Sequence, residues 1–254
     1  MRYIFKGNEP RYMLEWKSTR LSCGQSILYK EFDKKQELNH DLRIEQHSIC
    51  CYCQCVIDHY HTEGGNPDTA AHNEHLYPQN LPEDTCSQQL QMDYKNIFAC
   101  CIGPHRQKRQ KHLIHCGEAK GNKIIPNLIC REDCASFFFY SLSGEIIPIQ
   151  QRKIRWEEYK NIPCEQLTKE ENDALLCIKV LNLNCVSLVE ERKTCIDSLL
   201  KMYDSKSHQE LLEIREKLIS SINYPSYLEL RLQFLNRLIK SKIKQKINKT
   251  EITK

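Results

Sequence analysis

The sequence predicts an α+β fold in which a small cysteine-rich core precedes a mainly α-helical C-terminal region. Two cysteine pairs, Cys50 with Cys53 and Cys101 with Cys116, flank a stretch rich in turn-forming residues. The segment FFFYSLSGEIIP has two apolar runs around a turn and predicts a β-hairpin. From Thr168 onward, apolar residues recur at helical spacing, which predicts helices to the end of the chain.

The first half begins with a segment containing Pro10 and several aromatic residues, for which we predict an extended arm. The spacing of Leu38, Leu42 and Ile44 predicts one short helix over about residues 34–47. Residues 58–90 are rich in His, Asn, Pro, Gly and Asp, which predicts a surface loop that carries a site.

The second half begins with predicted strands over residues 124–149. Ile162-Pro163 marks a boundary, and we expect two domains, residues 1–160 and 161–254. Thr168 and Glu171 have the spacing of a capping box, which starts a helix. The helices predicted after it cover about residues 188–203, 207–222 and 227–246.

The charge of the chain is only mildly basic, at +4 with a pI near 8.3, so the charge alone does not select a partner. The run HRQKRQKH at residues 105–112 and the lysine-rich tail at 237–254 suit a polyanion such as nucleic acid. A solvated loop and a frayed helix end explain the same two runs.

The cysteine count is high, at 15, and odd. The N-terminus has no apolar signal region, and no apolar run approaches the roughly 20 residues that span a bilayer. We therefore expect a cytoplasmic protein with no membrane segment, in which paired reduced cysteines favour metal over disulfides. Cys177, Cys185 and Cys195 lie in apolar surroundings and are expected to be small core residues.

Four thiols are the predicted ligands of a structural Zn²⁺. The C-x-x-C of Cys50 and Cys53 can supply two ligands from one tight turn. Cys101 and Cys116 are the preferred second pair, and Cys100 is the alternative third ligand. Ordinary buried thiols would explain the same spacing. Cys51 and Cys55 are crowding neighbours that leave the assignment open, and Cys130 and Cys134 form a separate, looser C-x-x-x-C that could also bind metal.

Glu74 and His75 lie between the cysteine pairs and form the candidate reacting centre. Phosphodiester hydrolysis needs an activated water, a base and a cation, which one divalent ion and one histidine can supply. Glu74 is a hard oxygen donor suited to Mg²⁺ or Mn²⁺, and His75 would address the water. Asn96 could orient the loop that carries His75, although it could also be a simple turn residue. His72, three residues before His75, is the other histidine of interest.

Taken together, four stretches resemble the HNH endonucleases of the PtuB type, the nuclease subunits of Septu anti-phage systems and of some retron-associated defence modules. The stretches are LRIEQHSICCYCQCVI, NEHLYPQN, DYKNIFACC and HCGEAKGN, and the resemblance runs from about residue 35 to about residue 200. It implies a small ββα-metal (HNH) core anchored by zinc on Cys50, Cys53, Cys101 and Cys116.

The resemblance also implies roles in catalysis. Glu74 would bind the catalytic Mg²⁺ or Mn²⁺, His75 would be the general base, and Asn96 would brace the loop. In the wider class a metal-binding side chain often follows the cysteine of the second pair, where this chain has Gly117. His115 is then the nearest second ligand of the catalytic ion.

Further expectations from the resemblance concern the remaining site and the partners. Asn122 is a distant alternative ligand, and Lys120 would contact phosphate. The substrate would be DNA or tRNA. A PtuA-type ATPase would be the partner protein, with the C-terminal helices as its docking surface. Retron modules add a reverse transcriptase and its RNA–DNA product.

Three functional hypotheses follow. The preferred one is an anti-phage endonuclease that its ATPase partner controls. The second is a zinc-knuckle module that binds nucleic acid without catalysis through the same cysteines and the basic run. The third is a structural adaptor whose helices bind an ATPase. Loss of a ligand at Gly117 would fit either alternative.

Overall fold

The fold is α+β, with about half of the chain in helices and, among the described residues, two small antiparallel sheets. A computed structural model describes residues 1–57, 71–79, 81, 85–102, 111–148 and 154–252. The helices are α1 (Arg11–Ser22), α2 (Lys35–Glu45), α3 (Thr85–Leu90), α4 (Cys116–Lys120), α5 (Trp156–Tyr159), α6 (Lys169–Val180), α7 (Val186–Tyr203), α8 (His208–Ile219) and α9 (Leu228–Ile252). The strands are β1 (Ala71–His75), β2 (Ile97–Cys101), β3 (Phe138–Tyr140) and β4 (Ile146–Pro148).

The N-terminal segment differs from the predicted extended arm, because residues 11–22 form α1. Pro10 precedes the helix, a place where its fixed φ and missing N–H cost nothing. Met13 is the one residue of α1 that is buried. The apolar residues of α1 do not form a single face, so their spacing carries no helical signal. Helix α2 follows the sequence prediction within two residues at each end and buries Leu38 and Leu42.

The first sheet pairs β1 with β2, and the register places Glu74 opposite Phe98 and His75 opposite Ile97. All five residues of β2 are buried, and α2 and α4 pack against this strand. Gln46, at the end of α2, exchanges two hydrogen bonds with the backbone of Ala99. The amide side chain thus satisfies part of the second edge of β2, which has no further strand beside it among the described residues.

The second sheet is the predicted hairpin of β3 and β4. Its turn contains Gly144, which has φ +89 and lies against the backbone of α7 at Val189. Strands were predicted from residue 124, but regular pairing begins only at Phe138, because turns and a short helical segment occupy the residues before it. The hairpin therefore bridges the N-terminal half and the C-terminal helices.

The C-terminal region consists of α6 to α9, close to the predicted ranges. Thr168 and Ser207 each form a complete capping box, with Glu171 and Glu210 as the reciprocal partners. One hydrophobic cluster contains residues of the first sheet, the β3–β4 hairpin and helices α6, α7 and α9. The main hydrophobic cluster includes residues from both sides of the predicted division at residues 160 and 161. The two-domain division stays a prediction.

Candidate metal centre and adjoining site

Five thiols converge at the centre of the molecule. Cys50 and Cys53 lie in a tight turn after α2, Cys100 and Cys101 end β2, and Cys116 begins α4; all five are buried. The Sγ atom of Cys50 lies 3.8 Å from that of Cys100 and 4.0 Å from that of Cys116. Cys53 and Cys101 are 3.7 Å apart. The structure thus brings together the four predicted zinc ligands and the alternative, Cys100.

These separations match the spacing of metal ligands. Four thiolates at about 2.3 Å from a tetrahedral zinc ion lie about 3.8 Å from one another. Two groups have donor atoms within 4.8 Å of each other: the first is Cys50, Cys100, Cys101 and Cys116, and the second is Cys53, Cys101, His115 and Cys116. Thiolates and imidazoles are the donors that zinc prefers, so these buried groups could hold a metal ion such as zinc.

The turn that carries the first pair is built by the backbone. The N–H of Cys50 donates to the carbonyl of Cys55, and the N–H of Gln54 donates to the carbonyl of Cys50. Gln54 has φ +65, a left-handed conformation that is uncommon for a residue with a Cβ. A left-handed residue directly after Cys53 lets the chain reverse within the turn, so both sulfurs lie on the same side as the β2 thiols.

The protonation of the thiols favours a cation. Burial would raise the pKa of Cys50, but hydrogen bonds from Cys100, Cys101 and Cys116 outweigh burial and lower the pKa of that thiol. Burial is the largest cause that raises the pKa of Cys100 and of Cys116 well above the usual value. One thiolate in this cluster therefore opposes the ionisation of the next, and several thiolates coexist only when a cation neutralises them.

Glu74 is the centre of an adjoining polar site. Its Oε1 accepts hydrogen bonds from Lys120 Nζ at 2.9 Å and from the Tyr52 hydroxyl at 3.3 Å. Its Oε2 lies 3.4 Å from Nε2 of His72. Burial would raise the pKa of Glu74, but the hydrogen bond from His72 and the charge of Lys120 outweigh it, so the pKa is lowered. The carboxylate is therefore ionised at neutral pH.

His75 follows Glu74 on β1 and is also buried, but its side chain contacts Gln91 and Tyr29. Its Nε2 lies 2.8 Å from the carbonyl of Gln91, so this nitrogen carries the proton and donates it. The ring meets Tyr29 edge-on, with 4.5 Å between the ring centres. Desolvation lowers the pKa of His75, and the hydrogen bond to Gln91 only partly offsets that effect. The imidazole is therefore neutral at pH 7, with its unprotonated lone pair on Nδ1.

Asn96 makes the side-chain-to-backbone hydrogen bonds that its predicted bracing role requires. Its Oδ1 accepts from the N–H of Tyr77, and its Nδ2 donates to the carbonyls of Tyr77 and Leu90. Its own carbonyl accepts from the N–H of Leu76. The loop that follows His75 is thereby attached to the start of β2.

Gly117 sits against the Glu74 carboxylate. A Cβ at this position would lie 2.5 Å from Oε2 of Glu74 and 2.8 Å from Nε2 of His72. The absence of a side chain at Gly117 is therefore what allows His72 and the carboxylate to approach each other and α4. His72 is thus the imidazole that lies beside this carboxylate, with its Nε2 3.4 Å from Oε2 of Glu74.

Two site residues lie in different surroundings from those predicted. The imidazole of His115, expected beside Glu74, belongs to the second thiol group, and its Nδ1 contacts the carbonyl of Leu113 and the thiol of Cys185. Lys120 was expected to contact phosphate, but its side chain is 1% exposed and paired with Glu74. His72 was noted for its distance from His75, but its spacing of two residues from Glu74 is the more informative signal, because residues i and i+2 of a strand share one face.

Part of the predicted site lies outside the described residues. This applies to residues 58–70, 80 and 82–84 of the predicted 58–90 loop and to the basic run except for residues 111 and 112. The described part of that predicted loop differs from it, because it contains strand β1 and helix α3. Among the described residues, no helix is both long and apolar enough to cross a membrane.

Comparison with known proteins gives no match to a family model and no match to a curated protein.

Proposed function

We propose that the chain is a metal-dependent endonuclease of the HNH type, which hydrolyses phosphodiester bonds in nucleic acid. The observation that supports this most directly is the state of His75, a buried neutral imidazole whose proton is held on Nε2 by the carbonyl of Gln91. Such a ring has one free nitrogen, Nδ1, which can accept a proton from water. The acidic side chain of Glu74 precedes it directly in the chain.

The first role of the site is to hold and move a proton. His75 Nδ1 would take the proton of the attacking water, while the hydrogen bond to Gln91 keeps the ring in one tautomer and one orientation. The lowered pKa of His75 keeps the base unprotonated near neutral pH. Asn96 would maintain this arrangement through its bonds to the following loop at Tyr77.

The second role is to hold a divalent ion, for which Glu74 and His72 are the candidate ligands. Their facing atoms are 3.4 Å apart, near the roughly 3.0 Å that separates neighbouring ligands around a Mg²⁺ ion. When bound, Mg²⁺ or Mn²⁺ would neutralise charge on the phosphorane and on the leaving oxygen. Lys120 contributes a fixed positive charge at Oε1, on the side of the carboxylate that does not face His72.

The wider setting is part of the same proposal. The order of strand, strand and short helix in β1, β2 and α4 agrees with a ββα-metal core. The resemblance to PtuB-type nucleases supports a role in anti-phage defence, with a PtuA-type ATPase as partner and DNA or tRNA as substrate. The basic run at residues 105–112 precedes α4 in the chain and would attract the polyanion.

The test of catalysis compares wild type with His75→Ala on DNA and on tRNA in the presence of Mg²⁺ or Mn²⁺. General-base catalysis by a histidine contributes about 10²–10⁴ in rate, so we expect a loss of that size. His40→Ala is the matched control, because His40 is an exposed histidine of α2. If wild type and His75→Ala degrade both substrates equally, the proposal for His75 is wrong.

A second variant tests the ligand assignment. His72→Ala should raise the concentration of Mn²⁺ needed for half-maximal cleavage, because it removes one of the two proposed ligands. His115→Ala should not change that concentration if His115 acts only within the thiol cluster. If His115→Ala raises that concentration and His72→Ala does not, His115 is the second ligand, as the sequence predicted.

A non-catalytic nucleic-acid-binding module is the second candidate, and the ion pair of Lys120 with Glu74 favours it. This pair satisfies the carboxylate without a divalent ion. Binding that persists in chelator, weakens steeply with salt and produces no cleavage would support this candidate. Cleavage that requires Mg²⁺ or Mn²⁺ would exclude it.

A further inference from the structure

We propose that the thiol cluster holds two metal ions, bridged by the thiolates of Cys101 and Cys116. The two groups of donors described above share these two cysteines and no other residue. Two tetrahedral ions that share an edge need two bridging and four terminal donors. The cluster supplies that number in one compact, buried arrangement. This proposal concerns the metal content of the core and does not depend on nuclease activity.

The four terminal donors divide equally between the two ions. Cys50 and Cys100 complete the first tetrahedron, and Cys53 and His115 complete the second. The sulfurs of Cys50 and Cys100 are 3.8 Å apart, the edge length that tetrahedral Zn–S bonds of about 2.3 Å produce. Each ion would therefore receive four donors of the kinds that zinc prefers.

The hydrogen bonding of the His115 ring leaves one nitrogen available to the second ion. Its Nδ1 lies 2.9 Å from the carbonyl of Leu113, so this nitrogen carries the proton and donates it. Nε2 is then the nitrogen with a lone pair for a metal. A backbone carbonyl that accepts from the second ring nitrogen is the usual support of a metal-binding histidine.

Backbone amides donate to the terminal sulfurs of both groups. The N–H of Cys101 donates to the sulfur of Cys50 at 3.4 Å, and the N–H of Gly117 donates to the sulfur of Cys100 at 3.3 Å. The N–H of Cys55 points to the sulfur of Cys53 at 3.5 Å. Donors to sulfur stabilise the thiolate form. Cys100 thus accepts a backbone hydrogen bond as the other terminal ligands do. A single ion bound by the four predicted cysteines would leave Cys100 without a metal.

The balance of charge also favours two ions. Five thiolates and one neutral imidazole carry five negative charges, and two Zn²⁺ ions reduce the total to one. A single Zn²⁺ with four thiolates leaves two negative charges and a fifth buried thiol beside them. Because uncompensated charge is costly in a buried site, the two-ion arrangement is the better neutralised one.

The decisive experiment counts the metal in the full-length protein. The chain is purified under reducing conditions without added metal, and zinc is measured by elemental mass spectrometry against protein quantified by amino-acid analysis. We expect two zinc ions per chain, and a value of one would overturn the proposal. Cys100→Ser and His115→Gln should each reduce the count from two to one. Two ions retained in both variants would also contradict it.

Two controls separate this site from the others. Glu74→Gln should keep two ions, whereas a drop to one would place the second ion at the Glu74 site and overturn the proposal. Cys130→Ser, which removes a thiol outside both groups, should also keep two. If the ligand variants do not fold, cadmium-substituted wild type still decides, because bridging thiolates give two ¹¹³Cd signals that are coupled to each other. A single signal would exclude the bridge.

Discussion

The cysteine-rich centre and the C-terminal helices achieve order in different ways. The centre comprises residues 49–57, 71–75, 97–101 and 115–121, and its only regular pairing is a two-stranded sheet of five residues per strand. Two-stranded sheets are marginally stable on their own. Helices α6 to α9 instead have complete capping boxes and bury apolar faces on the shared core. The difference predicts that a bound cation would stabilise the centre, whereas packing and caps stabilise the helices.

The two regions meet at the start of α9. The carbonyl of Gln54, next to the first cysteine pair, accepts from the N–H of Tyr227, and its Oε1 accepts from the N–H of Glu229. The N–H of Val56 donates to the hydroxyl of Ser226. The cysteine turn therefore satisfies backbone donors at the beginning of the helix. We expect loss of metal from the cysteine turn to destabilise the first turn of α9 more than it destabilises α8.

Metal removal should produce the largest effect and the clearest separation of the two regions. Structural zinc contributes on the order of 10 kcal/mol to small sites, comparable to the whole stability of a domain. We expect a chelator to abolish hydrogen-exchange protection in β1, β2 and the start of α9, while α8 and the second half of α7 keep theirs. Equal protection with and without chelator would show that the centre does not depend on metal.

Replacement of Gly144 tests how closely the β3–β4 hairpin is joined to the helices. Gly144→Ala places a Cβ against the backbone of Val189 and forces a non-glycine residue to φ +89. Strain of this kind costs about 1–3 kcal/mol, and the contact with α7 adds to it. Gly24→Ala is the matched control, because Gly24 has φ +66 with nothing within 4 Å. Urea unfolding should show a larger loss in the free energy of unfolding for Gly144→Ala than for Gly24→Ala. Equal losses would mean that the backbone of α7 shifts to accommodate the added Cβ.

Removal of one helix cap should have a smaller effect, confined to the helical region. Thr168→Ala deletes the hydroxyl that accepts from the N–H of Glu171, and the expected loss is about 1 kcal/mol in the free energy of unfolding. Thr194→Ala is the control, since this exposed hydroxyl lies within α7 and bonds the carbonyl of Glu190. A loss in the control as large as in Thr168→Ala would show that the cap is not the cause.

The smallest expected effect concerns pH and the cap of α8. The hydrogen bond from Lys206, followed by those from Ser207, lowers the pKa of Glu210 to about 2, from a usual value of 4.5. A lowered carboxyl pKa contributes stability that is present above pH 4.5 and is lost as the pH falls towards about 2. Glu210→Gln should therefore show a weaker fall in melting temperature over that range than wild type. Parallel curves would mean that solvent screens the interaction fully.

The sequence was most informative where a local pattern carries its own physical cause. The capping residues Thr168 and Glu171, and the turn between the runs of the β3–β4 hairpin, act over a few residues, and both predictions are confirmed. Helix α1 was missed because only Met13 of its residues is buried, so its apolar residues show no helical face. When contacts with distant residues stabilise a helix that buries few of its own residues, the spacing of its apolar residues does not predict the helix.

The composition of the site was predictable in part. Cys50, Cys53, Cys101 and Cys116 were named from their spacing as one site. The structure divides them between two overlapping groups, with Cys50 in the first, Cys53 in the second, and Cys101 and Cys116 in both. The inclusion of Cys100 and His115 was not predictable in the same way. Neighbouring residues on a strand point to opposite faces, so Cys100 and Cys101 were expected to compete for one position. Only the end of β2, where both thiols meet those of the cysteine turn, made them partners in one cluster.

The sequence by itself determined the α+β class, the helical C-terminal region and the residues that supply thiol, carboxylate and imidazole groups. These depend on interactions between residues that are near in the chain, and such interactions leave a readable spacing. The tertiary structure alone decided which imidazole faces the carboxylate and which joins the thiols. In the chain, His72 lies two residues before Glu74 and His115 lies directly before Cys116. The fold places the first beside the carboxylate, where Gly117 leaves space, and the second among the thiols.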